Sequence, residues 1–226
     1  MAEPSRVVTL DGPAGVGKTT LAKALAQDLN AVYLDTGAMF RAVAWRLGPG
    51  SWDLPETELT SRLQGLRFGL CGRGAASSLT LDGEALPQDI RTETVGMWAS
   101  NLATLSVVRE FLKIAQRELV GETLLVAEGR DMGTVIFPTA AYKFFLDADP
   151  EERARRRQLQ LQEMGVPADY DELVASIRRR DAQDRGRAIA PLAPAPDAVL
   201  VDTTHLTPSQ VLATLLETIR ATEERS

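Results

Sequence analysis

The sequence predicts an α/β fold: a five-stranded parallel sheet flanked by helices, with a lid segment and a small inserted antiparallel lobe. Three observations predict it. Five short apolar runs alternate with stretches of helical spacing, which indicates parallel crossovers. Each run ends in an acidic residue, and ligands of such sheets bind at the carboxyl ends of the strands. One segment, residues 63–91, breaks the alternation and indicates the inserted lobe.

Each element follows from a local pattern. After the first strand, Leu21, Leu25 and Leu29 recur at helical spacing with alanines between them, which predicts a helix packed closely on the sheet. Asp82 and Gly83 predict a tight hairpin turn in the insertion. A proline-rich stretch before the last strand predicts an extended connector over residues 190–196. In chain order, the predicted strands span residues 6–11, 31–35, 123–128, 142–147 and 198–202.

Length, charge and cysteine content limit the function. The 226 residues suit one domain, so we predict a single domain over residues 1–226. Acidic residues (31) outnumber basic ones (25), and the net charge of -6 opposes nonspecific nucleic-acid binding. Cys71 is the single cysteine, which excludes an internal disulfide and suits a reducing compartment. Because no apolar run approaches membrane-spanning length, we expect a cytoplasmic protein without a membrane or nucleic-acid partner.

The segment LDGPAGVGKTTLAKAL, residues 10–25, matches the P-loop pattern G-x-x-x-x-G-K-[ST] between a predicted strand and helix. Glycine is needed there because backbone N–H groups must point at phosphate oxygens without a Cβ in the way. Lys18 is expected to reach the β- and γ-phosphates of ATP, and the Thr19 hydroxyl to ligate Mg²⁺. The residues expected to contact ATP are Gly12, Pro13, Ala14, Gly15, Val16, Gly17, Lys18, Thr19 and Thr20.

Arginines are concentrated after the predicted strands. Arg153, Arg156 and Arg157 lie at i, i+3 and i+4 on a helix that Asp149 and Pro150 start well. The arginines of an arginine-rich helix usually lie on a face exposed to solvent. In an acidic protein with a triphosphate loop, however, the whole set favours a charge-closing lid over about residues 150–188 that serves a second phosphorylated molecule.

With these residues the chain resembles the bacterial cytidylate kinases, a branch of the nucleoside monophosphate kinases. The similarity covers most of the chain, in order, through TLDGPAGVGKTTLA, YLDTGAMFRAVA, IRTETV, AEGRDMGTVIFP, KFFLDADPEERARRRQLQLQEMG and RDAQDRGRAIAPL. The resemblance implies a single kinase domain with a P-loop core of five parallel strands, a lid and an inserted monophosphate-binding lobe. It also implies phosphoryl transfer from ATP, with Mg²⁺, to CMP or dCMP.

The resemblance also implies roles for individual residues. Asp131 can accept from the cytosine amino group, and uracil should be disfavoured because it presents a carbonyl there. By position, the acceptor-phosphate contacts fall on Arg41, Arg130 and Arg187, the cytosine contacts on Ser100, Arg109 and Asp131, and the ribose contacts on Arg180 and Asp184.

Three positions on the predicted substrate and metal side depart from the family pattern. Phe40 stands where the family often has tyrosine, which removes a hydroxyl but leaves ring packing. Thr36 replaces a common serine and keeps the hydroxyl. Glu128 stands where aspartate is frequent, and one extra methylene is compatible with holding Mg²⁺ through water.

The predicted mechanism is in-line transfer without a general base, because a nucleotide phosphate with a second pKa of about 6 is already largely ionised. The residues predicted to stabilise the moving group are Lys18, Arg130, Arg153, Arg156 and Arg157. We expect a monomer whose partners are the nucleotides ATP, CMP and dCMP. Two alternatives stay open: a P-loop kinase of a small hydroxyl acceptor, with Asp35 as base, and a nonenzymatic nucleotide-gated regulator.

Overall fold

A computed structural model describes residues 5–224. Over these residues the strands are β1 (Ser5–Asp11), β2 (Val32–Asp35), β3 (Phe68–Cys71), β4 (Ser78–Leu81), β5 (Glu84–Ala85), β6 (Leu125–Gly129), β7 (Ala140–Asp147) and β8 (Val199–Asp202). The helices are α1 (Lys18–Asp28), α2 (Thr36–Leu47), α3 (Glu56–Gln64), α4 (Glu93–Leu102), α5 (Ser106–Glu118), α6 (Pro150–Glu163), α7 (Tyr170–Arg185) and α8 (Pro208–Glu223).

The central sheet has the order β2-β6-β1-β7-β8, and all its neighbouring strands pair in parallel. The five predicted strands are confirmed, each within two residues of its expected bounds. Because the strands are parallel, their carboxyl ends lie at one edge of the sheet, together with the acidic residues that end the predicted runs. The first strand, β1, lies in the middle, and the phosphate-loop segment leaves its carboxyl end.

Two apolar cores cover the two faces of this sheet. Side chains alternate along β1, so Val7 joins one core while Val8 and Leu10 join the other. Helices α1 and α8 pack on the face of Val8, and helices α2 to α5 pack on the face of Val7. This double covering explains why the central strands read as nearly continuous apolar runs.

The insertion forms a separate antiparallel sheet of β3, β4 and β5. Asp82 and Gly83 both have positive φ, 54° and 83°, the backbone that a tight two-residue hairpin requires, so the predicted turn between β4 and β5 is confirmed. Phe68, Leu70 and Leu79 pack against the core beneath α2 to α5. The small sheet is therefore anchored on the same core as the helices on that side of the central sheet.

Helices α6 and α7 follow β7 and occupy the segment expected as the lid. Pro150 is the first residue of α6, where its missing N–H costs no helical hydrogen bond. The proline-rich stretch after α7 contains no helix, in agreement with the predicted connector, and buries Leu192 and Ala195. Within residues 5–224, none of the helices has both the length and the apolar character that a bilayer crossing requires.

Candidate active site

A cleft of about 970 Å³ lies at the carboxyl edge of the central sheet. Its walls come from the segment after β1, the first turns of α2, one face of α4, the end of β6, helices α6 and α7, and the segment after β8. The structure brings all the predicted site residues to this cleft except Gly12 and Pro13, which lie where the phosphate loop leaves β1. One cavity thus joins the predicted donor and acceptor sites.

The phosphate loop turns sharply at its first glycine. Gly12 has φ +149°, and a Cβ built there would lie 2.1 Å from the Leu146 carbonyl oxygen, so only glycine fits against β7. Gly17 is the left-handed N-cap of α1 and provides no side-chain cap, which leaves the helix N-terminus for an anion. The Lys18 ammonium donates to the carbonyls of Gly12 (2.8 Å) and Pro13 (2.6 Å). Burial, together with the charge of Arg130, lowers the pKa of Lys18.

Two buried side chains, Tyr33 and Glu128, and the half-buried Thr19 form an oxygen-rich group beside the loop. Tyr33 donates from its hydroxyl to Glu128 Oε1, and the Thr19 hydroxyl lies near the Glu128 carboxyl. Burial first, and then the nearby Asp35 charge, raise the pKa of Glu128. Hydroxyl and carboxylate oxygens are ligands that Mg²⁺ prefers, and Mg²⁺ usually keeps waters and phosphate oxygens in its remaining positions. The group therefore fits Mg²⁺, although residues 5–224 contain no cluster of three His, Cys, Asp or Glu side chains that could hold a metal ion.

Arginines surround one buried carboxylate at the centre of the cleft. Asp184 accepts from Arg130 Nε (2.9 Å) and from Arg187. Burial alone would raise the pKa of Asp184, but Arg130 and Arg187 hold it below its ordinary value. Arg180 also lies here, and its pKa is lowered by enclosure in the cleft and by Arg130. Because the positive charges exceed the single carboxylate, and Arg187 Nε is buried with no protein partner, the cluster fits an anion.

Arg41 and Arg91 connect the start of α2 with the segment before α4. The Arg41 guanidinium donates to the carbonyls of Ile90 (3.0 Å) and Thr92 (2.9 Å), and burial lowers its pKa. Arg91 lies on the cleft and pairs with Asp35 at 3.4 Å. Asp35 also caps α2 by accepting from the Ala38 N–H at 2.8 Å. The carboxylate that a hydroxyl kinase would need as its base is therefore engaged in structural contacts.

The far end of the cleft holds a buried ion pair between Arg109 and Asp131. Burial raises the pKa of Asp131, and the Arg109 charge opposes that rise. The Phe40 ring lies 5.7 Å from the Arg109 guanidinium carbon, so the aromatic position keeps a packing role without the tyrosine hydroxyl. Ser100 lines the same part of the cleft from α4. The pair offers a hydrogen-bond acceptor and donors to a planar ring with an amino group.

The family of the chain follows from comparison with known proteins. The family model described as "Cytidylate kinase" matches residues 8–221. The chain belongs to the cytidylate kinase family. A cytidylate kinase from Maridesulfovibrio salexigens is 61% identical over 200 residues, which cover 88% of this chain and 90% of that protein. A cytidylate kinase from Oleidesulfovibrio alaskensis is 55% identical, over 95% of this chain and 98% of that protein. One from Nitratidesulfovibrio vulgaris (strain DP4) is 57% identical, over 96% of this chain and 93% of that protein.

In this member of the cytidylate kinase family, the three predicted arginines of α6 have different surroundings. Arg153 is buried, donates to the carbonyls of Ala148 (2.9 Å) and Ala14 (3.0 Å), and pairs with Asp181 of α7. Arg156 donates to Glu152 and to two carbonyls after β8. Arg157 is more exposed and its contact across the cleft, to Glu93, is long at 3.8 Å.

The structure also adds residues that the sequence patterns did not single out. Arg91 belongs to IRTETV, one of the segments similar to the cytidylate kinase family, and this similarity is a signal that could have found it. Tyr33 stands two residues before Asp35 on β2 and so shares its face of the strand, which is a weaker signal. Thr36, which is one of the predicted site residues, directs its hydroxyl to the Glu128 carbonyl (2.6 Å) and ties the start of α2 to β6.

Proposed function

We propose that this chain transfers the γ-phosphoryl group of ATP to a phosphate oxygen of CMP or dCMP, giving ADP and CDP or dCDP. One observation carries the proposal: a single cleft joins the phosphate loop, the arginine cluster around Asp184 and the Arg109–Asp131 pair. Membership of the cytidylate kinase family, whose matched relatives are named cytidylate kinases, supports the choice of acceptor. The phosphate loop receives ATP, and the arginine cluster receives the acceptor phosphate.

The proposed acceptor contacts follow the chemistry of the cleft. Arg41, Arg130 and Arg187 bind the acceptor phosphate, since guanidinium groups make paired hydrogen bonds to phosphate oxygens. Arg180 and Asp184 contact the ribose. For the base, Asp131 accepts from the cytosine amino group, and Arg109 donates to its ring acceptors, with Ser100 beside them. A uracil carbonyl would face the Asp131 carboxylate, so that two acceptors would meet and the buried carbonyl oxygen would lack a donor there.

Thr19 and, through water, Glu128 are the residues that would hold Mg²⁺. A bound magnesium ion neutralises charge on the phosphate oxygens during transfer. Lys18 adds a positive charge from the phosphate loop, and Arg130, Arg153, Arg156 and Arg157 are the arginines proposed to act on the transition state or to hold the groups that do.

No general base is needed, because the acceptor phosphate is largely ionised at neutral pH. Asp35 accepts from the Ala38 N–H and pairs with Arg91. These contacts favour transfer without a base over a kinase that would use Asp35 as the base for a hydroxyl acceptor. Closure of residues 150–188 over the cleft would exclude water that would otherwise hydrolyse ATP. Since all these side chains come from one chain, we also propose that the monomer is the active unit.

One assay tests the function: ADP production from ATP with Mg²⁺ in the presence of CMP, dCMP, UMP, AMP or a set of hydroxy compounds. We expect strong turnover only with the cytidine monophosphates. Turnover with a hydroxy compound would instead indicate a hydroxyl kinase, and ATP binding without acceptor-dependent turnover would indicate a regulator. Asp131→Ala is the matched variant, in which the preference for CMP over UMP should fall by about tenfold or more, the range of a lost buried hydrogen bond.

A further inference from the structure

A short helical turn follows β6, and its N-cap residue makes no capping hydrogen bond. Residues Met132–Ile136 form a short helical turn whose N-cap residue is Asp131. Aspartate at an N-cap ordinarily accepts from a backbone N–H at the start of the turn. Asp131 makes no such bond, because its carboxylate is paired with Arg109 instead. The first N–H groups of the turn therefore need another acceptor.

Asp11 supplies that acceptor from the neighbouring strand. Its Oδ1 accepts from the Met132 N–H at 2.9 Å, and its Oδ2 accepts from the Gly133 N–H at 2.8 Å. Asp11 is the last residue of β1 and is 3% exposed. Each carboxylate oxygen thus satisfies one N–H of a turn that is more than a hundred residues away in the sequence.

Gly133 lets the turn approach Asp11 this closely. A Cβ built on Gly133 would lie 3.1 Å from Thr9 Oγ1 and 3.4 Å from Asp11 Oδ2. The first of these distances is tighter than an ordinary side-chain contact, so the neighbours would have to move. Burial of the Asp11 carboxylate is unfavourable by itself. The two hydrogen bonds from the turn, which the small size of Gly133 permits, offset part of that cost.

We propose that Asp11 is a positioning residue for base selection: it caps the turn from β1 and thereby leaves the Asp131 carboxylate free to face Arg109 and the cytosine amino group. The inference rests on the proposed function. Without Asp11, the N-cap residue Asp131 is the nearest carboxylate in sequence to the unpaired N–H groups. It would turn towards them and away from the base, so the preference for CMP over UMP would fall.

The test compares kcat/KM for CMP and for UMP in the full-length enzyme. Asp11→Asn keeps the side-chain size but directs an amide N–H at a backbone N–H. We expect the CMP-to-UMP ratio of kcat/KM to fall by about tenfold, through reduced use of CMP, while the KM for ATP changes by less than about threefold. Asp28→Asn is the matched control: it changes an exposed carboxylate in the last turn of α1, and should leave the ratio unchanged.

A double variant separates positioning from a general loss of structure. If Asp11 acts through Asp131, then Asp11→Asn added to Asp131→Ala should leave the already reduced ratio unchanged. Gly133→Ala displaces the turn while Asp11 stays intact, and it should lower the CMP-to-UMP ratio as Asp11→Asn does. It replaces Asp11→Asn in the test if that variant does not fold. A wild-type protein without CMP turnover would contradict the proposed function. The role of Asp11 would be overturned if the wild type prefers CMP and the Asp11→Asn and Gly133→Ala variants keep that preference. It would also be overturned if these variants lose CMP and UMP turnover equally.

Discussion

The hydroxyl of Tyr33 on β2 donates a hydrogen bond to Glu128 Oε1 on the adjacent strand β6, and both side chains are buried. Burial also raises the pKa of Tyr33, so its hydroxyl stays a neutral donor at every physiological pH. The Glu128 carboxyl also lies near the hydroxyl of Thr19, the first residue expected to ligate Mg²⁺. The Glu128 side chain is thus held in place by a tyrosine.

Tyr33→Phe should weaken the use of Mg²⁺. The variant removes only the hydroxyl that orients Glu128, and partners of this kind contribute about tenfold or more to metal affinity. We expect the Mg²⁺ concentration for half-maximal activity to rise by about tenfold, and Mn²⁺ binding to the ADP complex, followed by electron paramagnetic resonance, to weaken in parallel. Tyr142→Phe, on β7 beside Glu223, is the control and should change neither. Unchanged Mn²⁺ affinity in Tyr33→Phe would contradict the positioning role.

Lys18→Ala should abolish most of the turnover without unfolding the protein. The Lys18 ammonium is buried over the phosphate loop and donates two of its three N–H groups to the Gly12 and Pro13 carbonyls, which leaves the third for a phosphate oxygen. Loss of one preorganised charge of this kind lowers kcat by about 100-fold to 1000-fold. The Gly12 and Pro13 carbonyls lose their donor, but the cost of burying the charged lysine is removed at the same time, so the melting temperature should fall by only a few degrees. Lys23→Ala, which removes an exposed lysine from the same helix, is the control, and near-normal turnover in Lys18→Ala would contradict the mechanism.

The sheet was predictable because its determinants are local. A buried parallel strand is a short apolar run, and the turn at Asp82 and Gly83 depends on two adjacent residues. The phosphate loop was predictable for the same reason, since the whole motif lies in one segment. The partners of Asp11 and Tyr33 were not, because they depend on strands that are adjacent in the sheet but distant in the chain.

The predicted arginines of α6 also show that a local pattern does not identify partners that are distant in the chain. Their spacing predicted that Arg153, Arg156 and Arg157 share a side of α6, and all three do line the cleft. Spacing does not say that α7 brings Asp181 to Arg153, or that the carbonyls after β8 take up Arg156. Which arginine is free to meet a phosphate is therefore decided by packing between helices.

Arg153 and Arg157 should respond differently to replacement. Arg153→Met removes a buried partner of Asp181 and leaves the Ala14 and Ala148 carbonyls without their donor, so the free energy of unfolding should fall by about 3 kcal/mol or more. Arg157→Met removes an exposed side chain with one long ionic contact, and unfolding should change by less than about 0.5 kcal/mol while kcat falls by about tenfold or more. Urea unfolding and steady-state kinetics of both variants measure this. Equal stability losses would contradict the distinction.

The buried carboxyl of Asp11 should also make stability depend on pH. Burial is the main cause that raises the pKa of Asp11 from 3.8 to about 6, against the opposing Met132 and Gly133 hydrogen bonds. Between these values the folded protein binds more protons at Asp11 than the unfolded chain does, so the contribution of this residue to stability is present at low pH and is lost as pH rises. Asp11→Asn has no titrating group there, and other carboxyls largely cancel in the comparison. We therefore expect the unfolding free energy of the wild type minus that of Asp11→Asn to fall by about 2 kcal/mol from pH 4 to pH 7. A difference that stays constant or rises over this range would show that Asp11 is ionised throughout.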